Sequence, residues 1–360
     1  MSSPEIIAFI LSFLALLPTI ASISKLDNWW VRDFDFPRLQ ISTIILFFII
    51  YCAAIFDFSS FLEILMLLLL IGSFVYQAVK IYPYTFFAKK QVKKYKGNDE
   101  KRQISILVSN VLTTNTKYQK LIHLINRENP DLVLTLETDE VWEKELEVIE
   151  DEYPHTVKIP LKNLYGMHLY SKLELSNIDI KYLISEEIPS IHGKVKLRSG
   201  EKVKIHCLHP KPPSPSEDDT STNRDAELLL VGKEIDGKNS TLVFGDLNDV
   251  AWSRTTELFM RLSGLLDPRI GRGFYNTFHA QYPIFRWPLD HVFHSSDFLL
   301  QKLKRLESIG SDHFPIYIKL VYEPEKQNLN GHTEGVEEEE AEWAEEKIEK
   351  GIHPEEESKV

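Results

Sequence analysis

The chain has 360 residues, with 41 Lys and Arg against 53 Asp and Glu, a length that leaves room for about two structural units. The formal charge of −12 is unevenly spread: residues 1–99 hold 9 Lys/Arg against 7 Asp/Glu, residues 323–360 hold 4 against 14, and the middle is nearly balanced. That balance argues against strong sequence-independent binding to duplex DNA, which needs a basic face to displace counterions. The two cysteines, Cys52 in an apolar run and Cys207 in a predicted strand, imply no disulfide framework.

Three apolar runs open the chain, at 6–23, 39–56 and 61–79. A spanning helix needs about 20 apolar residues, with a lower limit near 17, so the runs predict three transmembrane helices within an anchor over 1–80. The alternative for the first run, a cleaved signal peptide, lacks a basic start and a clear small-x-small cleavage site. Lys25, Arg32 and Arg38 lie between the first two runs, and Lys80, Lys89, Lys90, Lys93, Lys94, Lys96 and Arg102 follow the third. The intervening hairpin, Asp57–Ser60, carries no basic residue. The positive-inside rule then places the N-terminus outside and everything after residue 80 in the cytoplasm. The alternative is an extracytoplasmic domain. Trp29, Trp30, Tyr82, Tyr84, Phe86 and Phe87 suit interfacial anchors or ordinary aromatic packing.

Residues 81–102 read as a basic linker. From Ile104 the pattern turns to short β-rich runs alternating with amphipathic helices. Ile104–Val108 and Asp131–Leu136 read as strands, with a helix between them carrying Tyr118, Leu121, Ile122 and Ile125 on one face. Glu140–Ile149 reads as helical. Strands follow near 155–159, 167–170, 174–182, 194–197 and 202–208, then a helix over 225–234, a buried strand at 241–245 and a helix over 256–262. Strands near 289–293, 298–306 and 314–321 close the domain, which spans 103–322. Many strands with few helices predict an α/β four-layer sandwich: two mainly antiparallel sheets packed face to face, with helices outside. The acidic stretch 323–360 reads as a disordered tail, or else as a short surface helix around 336–350.

Short polar motifs punctuate the strands. They are Ser-Asn-Val (109–111), Leu-Glu-Thr (136–138), Leu-His-Pro (208–210), Gly-Asp-Leu-Asn-Asp (245–249), Leu-Asp-His-Val-Phe (289–293) and Gly-Ser-Asp-His-Phe-Pro (310–315). Each sits at or just after a predicted strand end, a position that gathers side chains on one rim of a sandwich. Asn, Glu, Asp and His converging there suit a hard cation such as Mg²⁺ or Mn²⁺, which prefers oxygen ligands. No Cys/His cluster suggests structural zinc.

Over about residues 103–322 the sequence resembles the endonuclease/exonuclease/phosphatase superfamily, the fold shared with deoxyribonuclease I. Asn110 matches the Asn closing the family's first strand, and Glu137 its metal-binding Glu. Gly166–Lys172 looks like its glycine-to-Ser-Arg strand, and His209 is similar to its mid-chain catalytic His. Asp246 and Asn248 match its Gly-Asp-x-Asn motif, Asp290 the Asp of its next strand, and Asp312 and His313 its terminal Ser-Asp-His. Leu112 and Phe314 depart from the pattern, the first where some nucleases of the family carry an acidic residue. The resemblance implies that Glu137, assisted by Asn110 and Asp312, holds the metal, and that Asp246 and Asn248 fix the attacking water. It also implies that His313, oriented by Asp290, contacts the phosphate, while His209 stabilises charge on its oxygens. Arg224 is either a salt-bridge residue or a phosphate contact. The loop Lys211–Pro215 beside His209 either borders the cleft or merely connects.

The expected function is hydrolysis of a phosphodiester or phosphomonoester by a membrane-anchored, divalent-metal-dependent enzyme. Nuclease, nucleotide and lipid-phosphate substrates all stay open, and duplex DNA is the partner that the charge favours least. The rival is a catalytically silent family member serving as a membrane-tethered scaffold.

Overall fold

The computed structural model describes residues 3–235 and 237–353. Three of its helices are long and apolar enough to cross a membrane: α1 (Ser3–Ile23), α3 (Arg38–Ile55) and α4 (Phe61–Ile81). A four-residue helix, α2 (Trp29–Arg32), sits in the loop between the first two. The three long helices pack through Ala8, Ile45, Cys52, Met66 and Leu70, while Phe47, Ile50 and Leu68 face outward. Hydroxyl and amide contacts also cross the bundle. Thr19 Oγ accepts from Ser73 Oγ at 2.6 Å and from Gln77 Nε2 at 3.0 Å, the kind of interhelical bond that substitutes for a hydrophobic driving force inside lipid. Carboxylate oxygens of Glu5, Asp57 and Glu63 lie within 4.8 Å of one another. The start of α1 and the α3–α4 hairpin therefore share one end of the bundle, and the loop 24–37 emerges at the other.

The remainder is a sandwich. One sheet contains β1 (Gln103–Asn110), β2 (Leu132–Leu136), β3 (His155–Ile159), β4 (Met167–Ser171), β10 (Phe298–Arg305) and β11 (Ile316–Tyr322), in the order β10-β11-β1-β2-β4-β3. The other runs β5-β6-β7-β8-β9, built from β5 (Leu175–Lys181), β6 (Ser190–Lys196), β7 (Lys202–Leu208), β8 (Thr241–Asp246) and β9 (Asp290–His294). Ile106, Leu134 and Leu169 from the first sheet meet Ile205, Phe244 and Val292 from the second in one buried core. Alternate residues of the first sheet, such as Leu107 and Val133, face α5 (Tyr118–Glu128) and α6 (Glu140–Leu146). Leu208, Val243 and Phe293 of the second face α7 (Thr222–Glu234) and α8 (Arg254–Ser263). The period-2 alternation of strands buried on both faces thus produces the expected four layers. Both sheets are mixed, since β1–β2 and β7–β8 are parallel and the other pairs antiparallel.

Three sequence expectations need correction. Residues 81–102 are not a free linker: Val92 enters the main core, and the backbone of Lys93 and Tyr95 hydrogen-bonds to Leu300 on the edge strand. β6 starts at Ser190 rather than near 194, because Ser190 already pairs with Lys181 of β5, and Ile191 and His192 with Cys207 and His206 of β7. Over its described part the acidic segment takes the second of its two readings, a surface helix, and not that of a disordered tail. Glu337 caps α9 (Glu338–Ile352), whose Ala344 and Ile348 pack on Leu229 of α7 and Leu258 of α8. Its acidic face meets basic partners, Lys25 with Glu339, Arg261 with Glu340 and Lys233 with Glu345. Residues 354–360 lie outside the described residues.

Candidate active site

The carboxyl ends of the two parallel pairs open onto the same rim of the sandwich. Asn110 closes β1, Glu137 follows β2, His209 follows β7 and Asp246 closes β8. The β8–β9 register sets Asp246 directly opposite Asp290. The Asn110 Nδ2 group donates to Glu137 Oε1 at 2.8 Å and to Asp246 Oδ2 at 3.1 Å, joining the two sheets at this point. Gly245 is required beside it: a Cβ there would stand 1.9 Å from the Leu208 carbonyl oxygen on the neighbouring strand.

His313 sits between two carboxylates. Its Nδ1 is 2.8 Å from Asp290 Oδ2, and its Nε2 faces Asp246 Oδ2 at 3.5 Å. Burial alone would pull the imidazole pKa down. The Asp246 and Asp290 charges outweigh burial and hold it up, to about 10, so His313 is a cation at neutral pH. His209 approaches the same Asp246 oxygen at 4.0 Å, but there burial dominates and lowers its pKa to about 4. The site therefore holds one charged and one neutral imidazole on a single carboxylate. Burial pushes Asp246 up, against the pull of His313.

Glu137 is the natural cation ligand. Burial raises its pKa to about 7, and its Oε2 is buried with no hydrogen-bond partner among the described residues. A cation placed there would supply that partner and restore the carboxylate. Asp246, Asp290 and His313 also present ligand atoms within 4.8 Å of one another. His313 Nδ1 and Asp290 Oδ2 already engage each other, however, so the free oxygen of Glu137 is the better seat. Asn110 borders this seat. Its Oδ1 accepts the Leu112 N–H at 3.1 Å, which turns its amide nitrogen, not its oxygen, toward the carboxylates.

Glu137 and Asn248 both adopt left-handed backbone, with φ of 59° and 51°, a region sparsely used by residues other than glycine. Each is pinned. Thr113 Oγ donates to the Glu137 carbonyl at 2.7 Å, and Arg224 Nη1 donates to the Asn248 carbonyl at 2.9 Å. Arg224 does not reach the cleft. Its guanidinium is buried between Asp225, at 2.8 Å, and Asp249, at 3.4 Å, so it positions the Asn248 turn and is not free to bind a phosphate.

A cleft of about 650 Å³ opens above these groups, lined by Glu137, His209, Asp246, Asn248, Asp312 and His313. Asn110 and Asp290 lie behind it. Pro212 and Pro213 of the stiff loop form part of its border. Several lining residues escaped the sequence reading. Tyr165 packs its ring 5.4 Å from that of His209 and donates its hydroxyl to Glu217 at 2.9 Å; its place just before Gly166 was the available signal. Phe278, 4.9 Å from the His313 ring, and Trp287 come from the long segment before β9. Asp33, Phe36 and Pro37 come from the loop between α1 and α3, and no spacing in the sequence connects them to the site. His291 is remote from the cleft, held by Arg269 and the Asp249 carbonyl.

Comparison with known proteins agrees with this fold. Among solved structures, the chain is similar to D. rerio TDP2 complexed with single strand DNA product, at 18% identity over 61% of this chain and 98% of that one, with a TM-score of 0.51. It is also similar to the endonuclease/exonuclease/phosphatase from Beutenbergia cavernae DSM 12333, at 17% identity over 62% and 72% of the two chains and a TM-score of 0.51. At such identities the likeness establishes the fold and nothing finer. No curated protein sequence is significantly similar. The model of the Endonuclease/Exonuclease/phosphatase family matches residues 107–313, more than half of the length and every rim motif from Asn110 to His313, and the chain belongs to that family.

Proposed function

We propose that this protein is a membrane-anchored phosphoesterase that hydrolyses phosphate esters with the help of Mg²⁺ or Mn²⁺. The observation that carries the reading is the placement of cationic His313 between Asp246 and Asp290, across one cleft from the free oxygen of Glu137. Glu137 and Asp312 would hold the cation, with Asn110 fixing the Glu137 rotamer. A bound divalent ion supplies Lewis-acid withdrawal of charge from a phosphate oxygen. Asp246 orients the attacking water and accepts its proton, and the Asn248 turn, pinned by Arg224, closes that side. His313 donates from Nε2 toward a phosphate oxygen while Asp290 holds its Nδ1 proton. Neutral His209 supplies a second donor to charge that builds on the non-bridging oxygens. A catalytically silent scaffold gains no support, because Glu137, Asp246, Asn248 and His313 are all present at the rim.

Three membrane crossings put the catalytic domain on the side of loop 24–37, and the contacts agree with that parity. Ser221 N donates to Asp27 O at 2.8 Å, Trp252 Nε1 to Asp35 O at 2.8 Å, and Tyr84 Oη to Ala251 O at 2.6 Å. The basic residues after α4 favour the cytoplasmic side. Full-length protein in detergent should cleave bis-p-nitrophenyl phosphate with Mg²⁺ or Mn²⁺. Absence of turnover on that ester, on nucleic acids, on phosphomonoesters and on phospholipids would return the scaffold reading. Alkaline phosphatase fused after residue 325 should be inactive and a fluorescent-protein fusion bright; the reverse pattern would place the domain outside.

A further inference from the structure

The anchor is a wall of the active-site cleft. Phe36 and Pro37, which line it, immediately precede the first turn of α3, a candidate membrane span. Phe36 meets Trp287 edge-on at 5.6 Å, and Leu289 and Phe285 extend the apolar lining from there. The segment carrying these residues leans on the same span, with Gln40 Nε2 donating to the Ile284 carbonyl. Its tip is apolar and open: Tyr282, Ile284 and Phe285 are 57%, 71% and 54% exposed. Phe86, 81% exposed beyond the end of α4, lies against Gly273 in the same segment. Exposed aromatic and aliphatic side chains at the domain-side ends of two spanning helices lie at the depth of lipid headgroups. The mouth of the cleft is therefore at the membrane surface.

The charge of the cleft narrows the ligand. Among the described residues no Lys or Arg lines it, while Asp33 and Glu217 add carboxylates beyond those at the rim. A polyanion such as DNA or RNA would meet acidic and apolar walls, with the buried His313 in place of the row of Lys and Arg that replaces counterions along a strand. A single phosphate carried on an apolar body suits the same walls, with the phosphate at His313 and the apolar part along Phe36, Trp287 and Leu289 toward the bilayer.

Resting on the phosphoesterase reading above, we infer that the substrate is the phosphodiester of a membrane phospholipid, entering the cleft from the bilayer along the Phe36–Trp287 wall. Water adds to phosphorus, one P–O bond to a lipid or headgroup alcohol breaks, and the departing oxygen takes up the proton. An alcohol and a phosphomonoester result. No redox partner is needed.

The experiment uses the full-length protein reconstituted into phosphatidylcholine vesicles containing phosphatidylethanolamine or phosphatidylglycerol, with Mg²⁺ or Mn²⁺. Soluble bis-p-nitrophenyl phosphate and single-stranded oligonucleotides run in parallel. Cleavage of a vesicle lipid in preference to the oligonucleotides is expected. Ile284→Asp, at an exposed position, should lower the ratio of lipid to soluble-ester turnover by about tenfold or more, since a charge replaces an apolar contact with the membrane. Turnover of the soluble ester or of oligonucleotides with no lipid cleavage would overturn the inference and leave the phosphoesterase reading standing. An unchanged ratio in Ile284→Asp would also overturn it. Failure on every ester would overturn both.

Discussion

Asp290 Oδ2 holds the Nδ1 edge of His313 at 2.8 Å from the strand opposite Asp246, so a strand register and not a flexible loop sets the imidazole's orientation. Asp290→Asn keeps the shape and removes the charge. Turnover should fall by roughly 10²–10⁴, the usual cost of disturbing a general acid or base. The alkaline limb of the pH–rate profile should also move to lower pH, because a cation that loses a neighbouring negative charge releases its proton more readily. A limb that stays in place in Asp290→Asn would mean that His313 is not the group being read.

The anchor loop is fastened by Asp35, which accepts from Arg32 at 3.1 Å and from Arg38 at 2.6 Å in a buried network. Asp35→Ala would leave two buried guanidinium groups without their carboxylate. Breaking buried pairs in this way costs about 3–5 kcal/mol. The variant should unfold at lower temperature in detergent and be cut within residues 24–37 by proteases that spare the parent. Equal melting and equal cleavage would show that the loop is held by other means.

Glu227 is buried on α7, and burial raises its pKa to about 8 from the ordinary 4.5. The folded-state value lies above the unfolded one, so the fold binds the proton more tightly. Its contribution to stability is present in full below about pH 4.5 and is lost as pH rises through about 8. Glu227→Gln removes this dependence. Its gain in melting temperature over the parent should be small near pH 5 and larger near pH 8, corresponding to roughly 1–3 kcal/mol. A gain that does not grow with pH would contradict the burial of an ionisable group there.

The rim was legible because strand ends carry both signals at once. An apolar run such as Asp131–Leu136 predicts the strand, and the polar residue that follows, Glu137, is left at its mouth. Asp246 reads the same way from the end of its own strand, whereas Asp290 opens its strand and is set opposite Asp246 by the antiparallel register. What spacing could not supply was contact between distant segments. Phe36 and Pro37 reach the cleft from loop 24–37, which docks on Trp252, and the α7–α8 surface that receives Ala344 and Ile348 of α9 has no counterpart in the sequence pattern. Side-chain direction was equally hidden. For Arg224 the sequence favours a salt-bridge residue over a phosphate contact without naming the partners, and the partners are Asp225 and Asp249, which enclose it.

Metal dependence tests the account most directly. Full-length protein stripped with EDTA should lose hydrolysis of bis-p-nitrophenyl phosphate and regain it on titration with Mg²⁺ or Mn²⁺. In Glu137→Gln the half-activating metal concentration should rise by about tenfold or more, the loss of one direct ligand outweighing the roughly 1.4 kcal/mol that a factor of ten represents. Full activity in excess EDTA after removal of bound metal, or a Glu137→Gln titration superimposable on that of the parent, would contradict the assignment of this rim as a metal-assisted phosphoesterase site.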